Sequence, residues 1–364
     1  MSPAACWTGV RDFSGVARLV DAAVASHAFA AATVEVGRRH GVLWQYASGR
    51  LTYEPEAPQA TVETVFDLAS LTKVIATVPL VMQLLARRRV LLHTPVGRLI
   101  PAWRGRDRAD VTLADLLEHS AGLTAWWPLY KHGASAAEYA HLIGELPLEY
   151  VPRRRSIYSD LGFILLGFIV ADIGGASLDA QFDALLGNTG LAYRPSPSRS
   201  GPIAPTEIDT EWRGRLLVGE VHDENTWALG GVAGHAGLFG SAAAVGRYAR
   251  QVLETARGGG VLGPSWLLDR FVRRSTVPGS SRALGWDTML PTSSCGTRMS
   301  HAAIGHTGFT GTSLWIDPAH DVYVVLLTNR VHPRRPADRS DGLARLRPAL
   351  HDAVMDALRA PSRP

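Results

Sequence analysis

Apolar positions recur every three to four residues over Gly15–His27 (GVARLVDAAVASH), the spacing of one helical face. The pattern then changes, and Ala31–Gly37 and Val42–Ser48 read as two strands around the Arg38-Arg39-His40-Gly41 turn. A strongly apolar helical stretch runs from Leu71 to Leu92, with further helical segments at Leu113–Glu118, Leu161–Asp172 and Ala242–Ala256. Past residue 282 short strand-like runs return at Arg282–Trp286, Ala303–His306, Thr312–Ile316 and Val322–Thr328, and a last helix is expected around Pro348–Leu358.

Strands at both ends with helices between them predict an α+β fold. One antiparallel sheet is assembled from the two termini and flanked by helices, and a mainly helical insertion lies beside it. The expected boundaries are residues 1–66 and 282–364 for the sheet lobe and 67–281 for the helical lobe. A site is expected in the cleft between them. The Pro/Ser-rich stretch Arg194–Pro205 reads as a surface loop.

Composition narrows the function classes. A chain of 364 residues, 46% hydrophobic, can bury a large core. Its longest apolar run, Phe163–Ala171, is about half of the roughly 20 residues needed to span a membrane, so no membrane span is expected. The opening MSPAACWTGVRDFSG has no apolar signal-peptide core, which predicts a cytoplasmic protein, or a periplasmic or secreted one if a leader has been removed. Cys6 and Cys295 lie far apart without C-x-x-C spacing, and two free thiols are expected. The clusters Arg87–Arg89, Arg153–Arg155 and Arg334–Arg335 are scattered and carry no nucleic-acid-binding motif, so they read as solvated surface and no nucleic-acid partner is expected.

The net charge of +4 hides an unusual choice of cation: of 37 Lys and Arg side chains, only Lys73 and Lys131 are lysine. Arginine stays protonated in proteins, whereas a buried lysine can give up its proton and act as a base. Lys73 closes the sequence Ser70-Leu71-Thr72-Lys73 at the start of an apolar helix, which places hydroxyl and amine one turn apart on one face. That is the geometry of a nucleophile and its base, although S-x-x-K alone also describes an N-cap serine followed by an exposed cation. A second element, Tyr158-Ser159-Asp160, leads into an apolar helix and offers a phenol able to relay protons. A third, His306-Thr307-Gly308, ends a strand-like run. Thr307 can bond a substrate carboxylate or amide there, and Gly308 permits close backbone approach.

In this order and at these separations the three elements resemble the S-x-x-K, Y-x-N and K-T-G signatures of class C β-lactamases, D-alanyl-D-alanine carboxypeptidases and family VIII esterases. The surrounding text agrees from about residue 60 to 330: FDLASLTK, LADLLEHSAGL, YSDLGFILLG, GGVAGHAGLFGSAAAVGRYA and GHTGFTGTSLWIDP. The resemblance implies a β-lactamase/transpeptidase-like fold and an acyl-enzyme on Ser70. It makes Lys73 and Tyr158 the base and acid pair, Thr307 a substrate anchor, and the backbone N–H groups of Ser70 and Phe309 the oxyanion hole. No metal or organic cofactor is implied, and the partner is a small-molecule or short-peptide substrate; the oligomeric state is left open.

Two departures bear on the substrate. His306 stands where β-lactamases usually have lysine, and at the mouth of the site its charge is expected to change near its ordinary value of about 6.5. Asp160 replaces the usual asparagine and, ionised, cannot donate a hydrogen bond to a substrate carbonyl. It can pair with Lys73, meet a substrate amine or cap the following helix. Both changes favour a peptide-like amide or a simple ester over a β-lactam, so the function expected is that of a carboxypeptidase, muramyl-peptide amidase or esterase. The rivals are a β-lactamase and a penicillin-binding sensor that acylates without turnover. The segment carrying His222, Asp223 and His235 offers metal-ligand types, but its text resembles the cell-wall-active branch of the family and it reads as a loop bordering the cleft. Trp126, Trp127 and Tyr130 are either an aromatic wall of the pocket or core packing.

Overall fold

The structure is a computed structural model that describes residues 11–196, 201–335 and 342–360. Its centre is a six-stranded antiparallel sheet built from both ends of the chain. Reading across the sheet, the strands are Gly41–Gly49, Ala31–Arg38, Val322–Thr328, Ser313–Asp317, Ile304–Thr307 and Asp287–Thr288. Val34 lies opposite Leu326, and Leu314 opposite His306.

Strand periodicity decides which core each residue joins. Val322, Val324 and Leu326 belong to one buried cluster with Val16, Val20 and Phe13 near the N-terminus and Leu343, Leu350 and Val354 of the last helix. Their neighbours Tyr323, Val325 and Leu327 face the opposite way, into the larger cluster shared with Val245, Tyr248 and Val252. Each fully buried Val or Leu is worth about 1.5–3 kcal/mol. A one-residue slip would therefore exchange the two faces at a cost no surface contact could offset.

The flanking helices are Ser14–Ala25 and Gly342–Arg359 on one face and Ala242–Ala256 on the other. Between the strand sets lie the expected helices at Leu113–Leu117 and Asp160–Gly174. The latter is buried on nearly every side, as its uniform hydrophobicity requires. The region also holds the helices Ala136–Glu145, Leu178–Leu186, Glu224–Ala228 and Ser265–Val272. Among the described residues no single helix is long and apolar enough to cross a membrane.

Several sequence expectations change. The helix after Ser70 ends at Ala86 rather than Leu92, and its first part, Lys73–Thr77, is a π-helical turn. The last helix begins at Gly342 and carries Pro348 inside it. Arg282–Trp286 is not a strand: it contributes only an isolated bridge from Arg282 to Asp287, Gly285 takes a positive φ of 89°, and the regular strand begins at Asp287. Of Arg194–Pro205, residues 197–200 and, of the cysteines, Cys6 lie outside the described residues. Ile203 forms a parallel bridge to Val65 and Ala204 is buried, so this part of the loop is held against the protein. Cys295 is a buried free thiol, its pKa pushed up by burial to about 12.

Candidate active site

Ser70 sits where a short strand, Phe66–Asp67, turns into the π-helical segment. Ala69, just before it, holds a left-handed φ of 47°, which costs a non-glycine residue about 1–2 kcal/mol. Asp67 holds that conformation in place. One of its carboxylate oxygens accepts from the Ala69 N–H at 2.8 Å, and the other from the His222 N–H at 2.7 Å. The backbone carbonyls of Asp67 and Leu68 accept from the hydroxyls of Thr310 (2.7 Å) and Thr312 (2.9 Å). The turn carrying Ser70 is thereby tied to the turn carrying Phe309. Asp67 is the main site-building residue that the motifs do not mark, although an Asp two residues before a turn position is a recognisable local signal.

Lys73 is fully buried. Its Nζ donates to Ser70 Oγ at 2.9 Å, to Asp160 Oδ1 at 2.6 Å and to the His235 carbonyl at 3.1 Å. Burial pushes its pKa down, but the charge of Asp160 and the hydrogen bond to it oppose this, and the net direction is up. The amine is therefore an ammonium in the resting site. The neighbouring loop comes close because Gly234 has no side chain: a Cβ there would lie 2.1 Å from the Phe163 carbonyl. Thr77, one turn beyond Lys73, donates to the Gly234 carbonyl at 2.6 Å.

Tyr158 closes the other side. Its hydroxyl is buried and makes no hydrogen bond of good geometry among the described residues, while Lys73 Nζ lies 5.0 Å from its ring centre. Burial raises the phenol's pKa, with the Lys73 charge opposing, so the phenol is protonated. Three more groups surround the ring: His119 with centroids 4.7 Å apart, His306 at 5.7 Å, and the Arg282 guanidinium 5.1 Å from the ring centre. The Ser159 N–H donates to His119 Nδ1, which leaves the ring proton of neutral His119 on Nε2. His306 Nδ1 donates to the Thr307 carbonyl, which leaves its Nε2 as an acceptor. Both Nε2 atoms are buried without a partner among the described residues.

His306 is only 2% exposed. Burial, reinforced by the charges of Arg282 and Lys73, holds its pKa well below 6.5. The expectation that this ring changes charge near 6.5 at the mouth of the site is therefore corrected: it is neutral, and Arg282 supplies the permanent cation.

Asp160 occupies the first helical position of Asp160–Gly174. Its carboxylate goes to Lys73 rather than to a cap, and its N–H donates to the Ala125 carbonyl. Its side chain keeps 19% exposure toward the cleft. Thr307 is partly exposed. A Cβ on Gly308 would lie 2.1 Å from Thr312 Oγ1 and 2.6 Å from the Leu68 carbonyl, so the two turns meet only with glycine there. The backbone N–H groups of Ser70 and Phe309 have no hydrogen-bond partner among the described residues. They are available as a pair of donors for an oxyanion.

The loop that carries His222, Asp223 and His235 borders the site through the His235 carbonyl. Its imidazoles pair separately, His235 Nε2 with Asp223 at 2.8 Å and His222 Nε2 with Glu207 at 2.8 Å. Among the described residues no three metal-ligating side chains come together. Trp126 and Trp127 are 42% and 40% exposed and so are not core packing. They follow directly on Thr124 and Ala125, whose carbonyls bind Ser159 and Asp160, and this sets them beside the tyrosine motif. The Tyr130 ring lies 4.5 Å from that of Trp212, and exposed Lys131 makes a cation–π contact with Tyr130 rather than any contact to Ser70.

A family model described as Beta-lactamase matches residues 16–347. The chain belongs to the beta-lactamase family. A relative from Escherichia coli K12, named as a candidate D-alanyl-D-alanine carboxypeptidase, is 32% identical over 314 residues, 75% of this chain and 71% of its own. Among solved structures, EstCE1, described as a hydrolase with promiscuous acyltransferase activity, superposes with a TM-score of 0.73 at 19% identity, covering 94% of this chain and 98% of its own. Simvastatin synthase (LovD) from Aspergillus terreus gives 0.74 at 17% identity, covering 96% and 100%. At such identities these two likenesses show the fold alone.

Proposed function

We propose that this chain is a serine hydrolase that cleaves an amide or ester of a small peptide-like or acyl substrate through an acyl-enzyme on Ser70. The observation that carries this reading is the 2.9 Å contact between Ser70 Oγ and a fully buried lysine, beside two unused backbone N–H groups. Ser70 attacks the substrate carbonyl, and the Ser70 and Phe309 N–H groups receive the oxyanion. Tyr158, protonated and beside Lys73, serves as acid for the leaving group, and water releases the acyl group.

A peptide ending in a carboxylate is the favoured substrate. Arg282, beside Tyr158 and His306, supplies a cation at the site, Thr307 next to His306 is partly exposed, and a substrate carboxylate would complement both. The name of the Escherichia coli relative supports the same class. A β-lactam is disfavoured, because Asp160 offers a charged acceptor where an amide donor is usual.

The test is intact-mass analysis after exposure to a fluorophosphonate and to a penicillin, then turnover of nitrophenyl esters, D-alanyl peptides and muramyl peptides. A fluorophosphonate adduct on wild type but not on Ser70→Ala, with peptide turnover, is expected. Equal labelling of the alanine variant would overturn the assignment.

A further inference from the structure

A lysine ammonium has three N–H donors and no lone pair. In this site all three are engaged, by Ser70 Oγ, Asp160 Oδ1 and the His235 carbonyl. Lys73 thus meets the nucleophile as a donor, the wrong polarity for removing its proton. To act as base it must pass a proton on. The His235 carbonyl is an amide oxygen and does not take one, and Ser70 is the group to be deprotonated. Tyr158 lies within reach of both Lys73 and Ser70, but burial keeps its phenol protonated, so in the resting site it has no place for a further proton.

We infer that Asp160 is the terminal proton acceptor of the site, reached from Ser70 through Lys73. This rests on the reading of Ser70 as nucleophile. As Ser70 Oγ bonds to the substrate carbonyl carbon, the carbonyl π pair moves onto its oxygen. The Ser70 proton goes to Lys73 Nζ, and a Lys73 proton goes to Asp160 along the 2.6 Å contact. When the intermediate collapses, the C–N or C–O bond breaks with its electron pair leaving on the amine or alcohol, which takes its proton from Tyr158. The Asp160 proton returns through Lys73 to restore the phenol. Asp160 is in this sense a positioning residue, acting through Lys73 rather than on substrate.

The charged and titratable groups facing this pair come from several elements: Tyr158 ahead of the same helix, His119 after Leu113–Leu117, His306 on Ile304–Thr307, Arg282 ahead of Asp287–Thr288, and the His235–Asp223 pair of the bordering loop. His119 and His306 are held neutral by burial and by these cations. Neither adds a charge change near neutrality.

The experiment follows the rate of fluorophosphonate labelling at Ser70 between about pH 4 and 10 in the full chain, for wild type, Asp160→Asn and Asp160→Glu, with a melting curve for each. With asparagine, Lys73 must lose its own proton to act. Labelling near pH 7 is expected to fall at least about tenfold, and the acid limb to move up by roughly one pH unit or more. Glutamate is expected to keep the wild-type limb at an altered rate. Faster labelling of the asparagine variant, or an equal slowing at every pH, would overturn the relay. If that variant does not fold, an alkaline shift in the glutamate variant would do so instead. Wild type that never labels at Ser70 would bring down the nucleophile reading itself, which the relay requires.

Discussion

The Thr310 hydroxyl donates to the Asp67 backbone carbonyl at 2.7 Å, joining the turn that carries Phe309 to the turn that carries Ser70. The Ser70 and Phe309 N–H groups, proposed as oxyanion donors on separate parts of the chain, are useful as such only if their spacing is fixed, because electrostatic stabilisation depends on donors being in place before charge develops. Thr310→Val keeps the shape and removes the bond. It is expected to lower kcat for a nitrophenyl ester about tenfold with little change in KM, and to lower stability by about 1 kcal/mol through the unmet carbonyl. Steady-state kinetics and urea unfolding read both.

Lys73→Arg preserves charge but removes the ability to shed a proton at accessible pH. Ser70 labelling is expected to fall about a hundredfold or more, within the range of general-base catalysis. Intact-mass time courses measure it, and an arginine variant at wild-type rate would show Lys73 to be a structural cation only.

Arg282→Gln is expected to raise KM for a carboxylate-ended peptide about fivefold, as suits a partly exposed ion pair of about 1 kcal/mol, and to leave a neutral ester nearly unaffected. Because His306 is already neutral, the wild-type preference for the acid over its methyl ester should stay flat between about pH 6.5 and 9. Kinetics on a matched acid and ester pair checks both; a preference that decays across that window would restore charge reading to His306.

Stability should fall in acid. His119 and His306 have folded pKa values well below 6.5, and His351 is lowered by burial to about 4. The unfolded chain therefore binds more protons than the folded one once the pH drops below about 6.5, and the loss continues until each folded value is reached. Each such group contributes up to about 1.4 kcal/mol per pH unit in that window. Denaturant unfolding at pH 7.5 and 5 measures it, and His351→Leu is expected to reduce the slope.

Gly308→Ala forces a methyl group into the Leu68 carbonyl and Thr312 hydroxyl. A cost of about 2 kcal/mol or more, of the overpacking kind, is expected. Melting temperature and ester turnover should fall together.

The sheet from both termini, the helix at Ala242–Ala256 and the pairing of Ser70 with Lys73 were legible because each rests on local periodicity or a short motif. The strand expected at Arg282–Trp286 failed because Gly285 needs a left-handed turn, a demand the apolar run conceals. The helix Ala136–Glu145 went unread although Ser135 and Glu138 form a capping box, a signal present in the sequence. The roles of His119 and Arg282 were not legible at all, and of Asp67 only its local hold on the turn at Ala69 was. Each acts on residues far away in the chain, and no spacing rule links Asp67 to His222 or Arg282 to Tyr158.

The pairing that joins the N-terminal strands of the sheet to its C-terminal ones, Val34 against Leu326, has a consequence for how the molecule is made. During synthesis the strands Ala31–Arg38 and Gly41–Gly49 can at first form only a hairpin, whose far edge waits for residues that emerge much later. Closing so long a loop is entropically costly and slow, so the intervening helices, rich in local contacts, are the part able to consolidate first. Until Val322–Thr328 arrives, Ala31–Arg38 presents a bare apolar edge, and the nascent chain's exposure to mispairing is greatest there.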